Sequence, residues 1–157
     1  MTRIDIGEGQ RIPTLQSVID LCQNCPRMLL NIELKGPWSE DVKNQYDHTM
    51  AARKTVDMIN ENDIANKVMI SSFNNEVLDA VISVSATSRR FMVQRLTSPN
   101  FEDDRDQYNT FEDHSGVNIF FNYITEQVVN KVHQQGNNKI GLWHCARRNT
   151  ENDHMYR

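Results

Sequence analysis

Two charged residues stand inside an otherwise apolar stretch, "MLLNIELKGPW", Met28 to Trp38. Side chains of a strand alternate between faces, so Leu30, Ile32 and Leu34 share one face and Asn31, Glu33 and Lys35 the other. Gly36-Pro37 then ends the strand. In a parallel barrel the apolar set packs outward on helices, and the polar set points inward at the carboxyl end of the strand, where barrel active sites are built. A carboxylate there can hold a hard divalent cation such as Mg²⁺ or Ca²⁺. An ammonium two residues on can neutralise developing charge on a phosphate oxygen. On an antiparallel sheet with one wet face, the same pattern would be an ordinary solvated Glu–Lys pair.

Other strand ends carry fewer chemical groups. "ISSF" places Ser71, Ser72 and Phe73 at the end of its strand, where the hydroxyls can bond a ligand or cap the next helix. Trp143, near the end of "KIGLW", can wall a pocket or fill the core, and core is the commoner fate. His144 falls on the opposite strand face from Trp143, a weak position for a catalytic base. Between Glu102 and Asp113 lie six acidic residues. They lack EF-hand spacing and read as a solvated loop. Cys22 and Cys25 form a single C-x-x-C, with Cys145 far downstream. The odd count argues against a disulfide framework. Cys22 fits the apolar face of a helix and Cys25 the following loop, which is preferred to a zinc site.

The elements that must position these groups alternate along the chain. "IPTLQSVIDLC" is a helix with Thr14 as N-cap, and Leu15, Val18, Ile19 and Cys22 recur at helical spacing. "RMLLNIELK" is a strand. A long helix is expected in "WSEDVKNQYDHTMAARKTVDMINEN", capped by Ser39. "KVMISSF" is a strand. "NNEVLDAVISVSA" is a helix capped by Asn74, with Val77, Leu78, Val81, Ile82 and Ser85 on one face. "RRFMVQRL" and "GVNIFFNYI" are strands separated by a polar loop. "TEQVVNKVHQQG" is a helix from Thr125 to its stop at Gly136, and "NKIGLWHCA" is a last strand. Strands such as "VMISSF" and "VNIFF" are apolar over consecutive positions, as in a parallel sheet covered on both faces. The class is α/β. No glycine-rich turn follows a strand, so a dinucleotide or Walker-type site is rejected.

The 157 residues suit one domain. A formal net charge of −4 gives no electrostatic footprint for nucleic acid or an anionic membrane. No run approaches the roughly 20 apolar residues of a membrane span, and no apolar leader region is visible. These readings lead to the expectation of a cytoplasmic protein without a transmembrane segment.

Several segments, in order, resemble a glycerophosphodiester phosphodiesterase: "GEGQRIPTLQSVIDLC", "LLNIELKGP", "VMISSFNNEVLDAV" and "ITEQVVNKVHQQGNNKIGLW". Together they cover most of the chain, and the stretch from Arg89 to Ser115 matches only loosely. The resemblance implies a (β/α)8 barrel of the phospholipase C-like phosphodiesterase type. It also implies metal-dependent hydrolysis of glycerophosphodiesters to glycerol phosphate and an alcohol, a reaction of lipid metabolism. By the same resemblance Glu33 is a metal ligand, Lys35 stands catalytically beside the phosphate, and Trp143 lines the substrate pocket. A divalent cation, Mg²⁺ or Ca²⁺, is the implied cofactor.

The sequence also departs from the family. The His-Arg-Gly end of the first strand, the Glu-x-Asp of the second, the histidine that follows and the ending of the last strand are all missing. The expectation is therefore a partial domain over residues 1–157, about five of eight βα units, truncated relative to the family and inactive alone. One carboxylate is a poor site for Mg²⁺, so cation binding by this chain alone is not expected. Unpaired edge strands would invite self-association, and a non-catalytic binding or interaction module is the alternative.

Overall fold

Short polar side chains start the helices of the computed structural model, which describes residues 4–37, 46–86, 90–97, 114–134 and 139–143. Helix α1 (Leu15–Gln23) opens with Thr14 Oγ1 accepting the Ser17 N–H at 3.1 Å. Helix α2 (His48–Glu61) opens with Asp47 Oδ1 accepting the Met50 N–H at 2.8 Å. Ser39, the N-cap expected from sequence, lies outside the described residues. Helix α3 (Asn75–Ser85) opens with Asn74 Oδ1 accepting the Val77 N–H at 3.2 Å. Helix α4 (Glu126–Gln134) opens with Thr125 Oγ1 accepting the Val128 N–H at 3.2 Å. Each bond satisfies an amide that the helix itself leaves without a partner.

The strands are β1 (Leu30–Glu33), β2 (Val68–Ser72), β3 (Met92–Leu96), β4 (Gly116–Phe120) and β5 (Lys139–Trp143). Their order follows the chain, β1-β2-β3-β4-β5. The described pairings are parallel, as the alternation of strands and helices requires. The chain divides into two compact units, Met1–Val93 and Gln94–Arg157.

In the first unit β1 runs beside β2 in the register Leu30↔Val68 to Glu33↔Ser71. Ile32, Ile70 and Val93 join Ile19 of α1, Val56 and Ile59 of α2, and Leu78 and Val81 of α3 in one apolar cluster, with Leu30 and Leu34 packed against it. The alternation read from "LLNIELK" is thus realised: the leucine–isoleucine face meets the helices, and Asn31 and Glu33 are exposed on the other. Ile19, Ile59 and Ile70 are fully buried, each contributing roughly 1.5–3 kcal/mol through burial. α1 is tied to the end of α2 by a reciprocal amide pair, Gln16 Nε2 to Asn62 Oδ1 at 2.9 Å and Asn62 Nδ2 to Gln16 Oε1 at 3.2 Å.

In the second unit Gln94–Leu96 of β3 pair with Gly116–Asn118 of β4. β4 pairs with β5 from Gly116↔Lys139 to Phe120↔Trp143. Val117 and Ile119 pack on Val132 of α4, with Val128 and Ile140 alongside. Gly116 has φ +155°, and a Cβ there would run into the Lys139 carbonyl, so the close approach of β4 and β5 requires glycine at this position.

Candidate functional site

The site begins with what holds the end of β1. Beyond Glu33 the chain stays tied to β2, because the Leu34 N–H donates to the Ser71 carbonyl at 2.9 Å. Ser72 is fully buried. Its hydroxyl donates to the Leu34 carbonyl at 2.6 Å and accepts the Asn74 N–H at 3.0 Å. One side chain thereby ties the end of β1 to the turn that starts α3. Asn74 caps that helix and also abuts Gly36: a Cβ on Gly36 would stand 2.5 Å from Asn74 Nδ2 and 2.9 Å from its Cβ. Lys35 lies between these two fixed points, Leu34 and Gly36. Ser71, also fully buried, donates to Asn31 Oδ1 at 2.9 Å. Asn31 stands two residues before Glu33 on the same strand face.

Glu33 and Lys35 then line one open depression of about 490 Å³ together with Gly36, Pro37, Phe73 and Asn74. Both charged side chains are exposed. A carboxylate and an ammonium on one concave wall can meet a cation and an anion side by side, the arrangement a metal-bridged phosphate presents. The two residues singled out from sequence are therefore brought together.

Trp143 is half-buried at the end of β5 in the second unit. Its ring meets Phe120 edge-on with centroids 4.8 Å apart, and Phe120 also contacts Phe121 and Tyr123. Gln94 and Asn118 are buried polar residues on the same sheet face, by the registers Gln94↔Gly116, Leu96↔Asn118 and Phe120↔Trp143. Sequence reading passed over both, although the alternation in "MVQRL" and "GVNIF" carries the signal. His144 and the acidic residues from Glu102 to Asp113 lie outside the described residues.

His48 does not line the depression. Its Nε2 stands 3.1 Å from Glu76 Oε2, linking the starts of α2 and α3. Its Nδ1 is buried with no hydrogen-bond partner among the described residues. Neither nitrogen is offered to a substrate. Tyr46 packs edge-on against this ring at 4.9 Å, and burial pushes its phenol pKa up.

Among the described residues the implied divalent cation finds too few ligands. Glu33 is the one carboxylate among the described residues that line the depression. No group of three or more His, Cys, Asp or Glu that could hold a metal ion occurs among the described residues. A hard divalent ion takes six or more oxygens and is usually anchored by further carboxylates or a substrate phosphate. The described residues do not complete such a centre. Among them, no helix is long and apolar enough to cross a membrane.

No known family model matches the sequence, and no curated protein matches it. Solved structures do. A glycerophosphodiester phosphodiesterase from Parabacteroides distasonis aligns over 93% of this chain and 57% of its own, with TM-score 0.66 and 15% identity. A provisionally assigned glycerophosphoryl diester phosphodiesterase from Silicibacter pomeroyi aligns over 86% of this chain and 47% of its own, with TM-score 0.71 and 15% identity. A provisionally assigned glycerophosphodiester phosphodiesterase from Galdieria sulphuraria aligns over 90% of this chain and 54% of its own, with TM-score 0.63 and 21% identity. The chain spans about half the length of the solved structures it matches. At these identities the likeness establishes the fold: parallel α/β architecture covering part of a (β/α)8 barrel.

Proposed function

We propose that this chain carries one wall of a glycerophosphodiester phosphodiesterase site. In the first unit Glu33 contributes a single ligand toward a divalent cation and Lys35 contacts a phosphate oxygen; in the second, Trp143 keeps the pocket-lining role that the family resemblance implies. The observation that carries the reading is the shared depression of Glu33 and Lys35 at the end of β1, held by Ser72 and Asn74. Structural likeness to solved members of that family supports it.

Hydrolysis by the chain alone is not part of the proposal. An unassisted phosphodiester needs a proton carrier, typically worth about 10²–10⁴ in rate, and a completed cation site. Among the described residues His48 is engaged with Glu76, and Glu33 is the one carboxylate lining the depression, which does not make such a site. The test is release of glycerol 3-phosphate from glycerophosphocholine by the purified chain with Mg²⁺ or Ca²⁺. None is expected; release that disappears in Lys35→Ala would overturn the claim of inactivity while supporting the site.

A second reading, a non-catalytic interaction module, is favoured by the edge of β1. Among the described residues β1 pairs only with β2, and Leu29 at its start is 74% exposed. An open strand edge beside apolar side chains templates association with another strand. Light scattering tests this: a monodisperse dimer supports the module, and a monomer across micromolar concentrations rejects it.

A further inference from the structure

Three sulfur-bearing residues recur at every third position in "CQNCPRM": Cys22, Cys25 and Met28. Cys22 is in the last turn of α1, and Cys25 follows the helix's Asn24 C-cap. Two successive turns then bring the chain back on itself. The Cys25 N–H donates to the Cys22 carbonyl at 2.9 Å, and the Met28 N–H donates to the Cys25 carbonyl at 3.0 Å. Each closure of this kind holds the α-carbons at its ends within about 7 Å. The result is a contact six residues apart, Cys22 Sγ to Met28 Sδ at 3.3 Å. Both thiols are free, Cys22 half-buried and Cys25 exposed.

Cys22 and Met28 also line a crevice of about 10 Å³, with Ile19, Leu30 and Lys67 among its walls. That is room for roughly one water-sized particle. Cys22 and Met28 supply a thiol and a thioether at the crevice; the Cys25 thiol is exposed outside its lining, one turn closure from each of them. Soft sulfur donors select soft cations, Cu(I) foremost. Zinc prefers four thiolate, imidazole or carboxylate ligands, and no group of three such residues occurs among the described residues.

We propose that Cys22, Cys25 and Met28 form a three-sulfur site for a soft monovalent cation of the Cu(I) and Ag(I) class. Binding replaces two S–H bonds by two metal–thiolate bonds and releases two protons to solvent, with no change of oxidation state. The resulting centre carries one net negative charge, and the Lys67 ammonium on the crevice wall compensates it. A C-x-x-C alone is a weak metal signal in the sequence; the third donor is a methionine that the turn geometry brings to the first cysteine.

The experiment uses the full chain carrying Cys145→Ser, reduced with a phosphine under anaerobic conditions. Cu(I), supplied as its acetonitrile complex, is titrated in competition with the chromophoric chelator bicinchoninate, and X-ray absorption reads the coordination. One Cu(I) per chain with sulfur-only coordination is expected. Cys25→Ser, at an exposed position the fold does not need, should weaken binding at least about 100-fold, and Met28→Leu roughly 10-fold. Zn²⁺ at equal concentration should not displace the bound copper. Affinity unchanged in Cys25→Ser or in Met28→Leu, nitrogen or oxygen ligands in the absorption data, or displacement by Zn²⁺ would each overturn the proposal.

Discussion

Replacing Ser72 with alanine tests the reasoning about how the end of β1 is held. The Ser72 hydroxyl bonds the Leu34 carbonyl at 2.6 Å and the Asn74 N–H at 3.0 Å from a fully buried position. Alanine removes both bonds. A buried polar group left without its partner costs about 1–3 kcal/mol. With two groups affected and Leu34 only half-buried, the expected loss is about 2–4 kcal/mol. Ser71 is the internal control. It is equally buried, but its hydroxyl bonds the side chain of Asn31, which is exposed and can turn to water. Ser71→Ala should therefore cost about 0.5–1.5 kcal/mol. Urea unfolding followed by circular dichroism gives the totals. Amide exchange of Asn74 gives the local term: a loss of about 2 kcal/mol speeds exchange roughly 30-fold. Equal losses in the two alanine variants, or an Asn74 amide as protected in Ser72→Ala as in the parent, would refute the bridging role.

Further predictions concern single positions. Gly36→Ala should displace Asn74 from its cap and cost about 1–2 kcal/mol, whereas in an Asn74→Ala background the same change should cost markedly less; a double-mutant cycle by urea unfolding reads the coupling, and strict additivity would contradict the contact. Gly116→Ala combines a positive φ with a clash against the Lys139 backbone, so it should destabilise the β4–β5 pair by at least about 3 kcal/mol, seen as lost amide protection at Lys139. Burial raises the Tyr46 phenol above its ordinary value, so above pH ~10 the unfolded chain ionises there first. The stabilising contribution is complete below that pH and is lost as pH rises through the folded value. Tyr46→Phe should flatten the alkaline decline in stability measured by urea unfolding from pH 9 upward, and an unchanged decline would refute the assignment.

Local signals carried much of the fold. Thr14, Asn74 and Thr125 were legible as caps because the bond each makes lies within three residues. The two faces of "LLNIELK" were legible because strand parity needs no partner. The strand itself proved shorter than read: Met28 and Leu29 are apolar by composition, yet both are exposed ahead of β1. Position in the sheet, rather than β-propensity, decides that boundary. The expected long helix contains α2, whose described start is set by Asp47. The site residues Glu33 and Lys35 were visible as charges in an apolar run. Their support was not, because Ser72 reaches Leu34 across 38 residues and Asn74 meets Gly36 only once β1 and β2 are aligned. Met28 was passed over as a sulfur donor for a related reason: its approach to Cys22 depends on two turns whose closure the residue types alone do not specify.

The central claim, that Glu33 and Lys35 form one wall of a phosphate site, is tested most directly by amide chemical shifts during titration of the chain with glycerol 3-phosphate, with and without Ca²⁺. Saturable shifts confined to Glu33–Pro37 and Phe73–Asn74 are expected, abolished in Lys35→Ala and insensitive to Ca²⁺, because one carboxylate does not complete a cation site. Shifts centred elsewhere, or a titration that Lys35→Ala leaves unchanged, would contradict it.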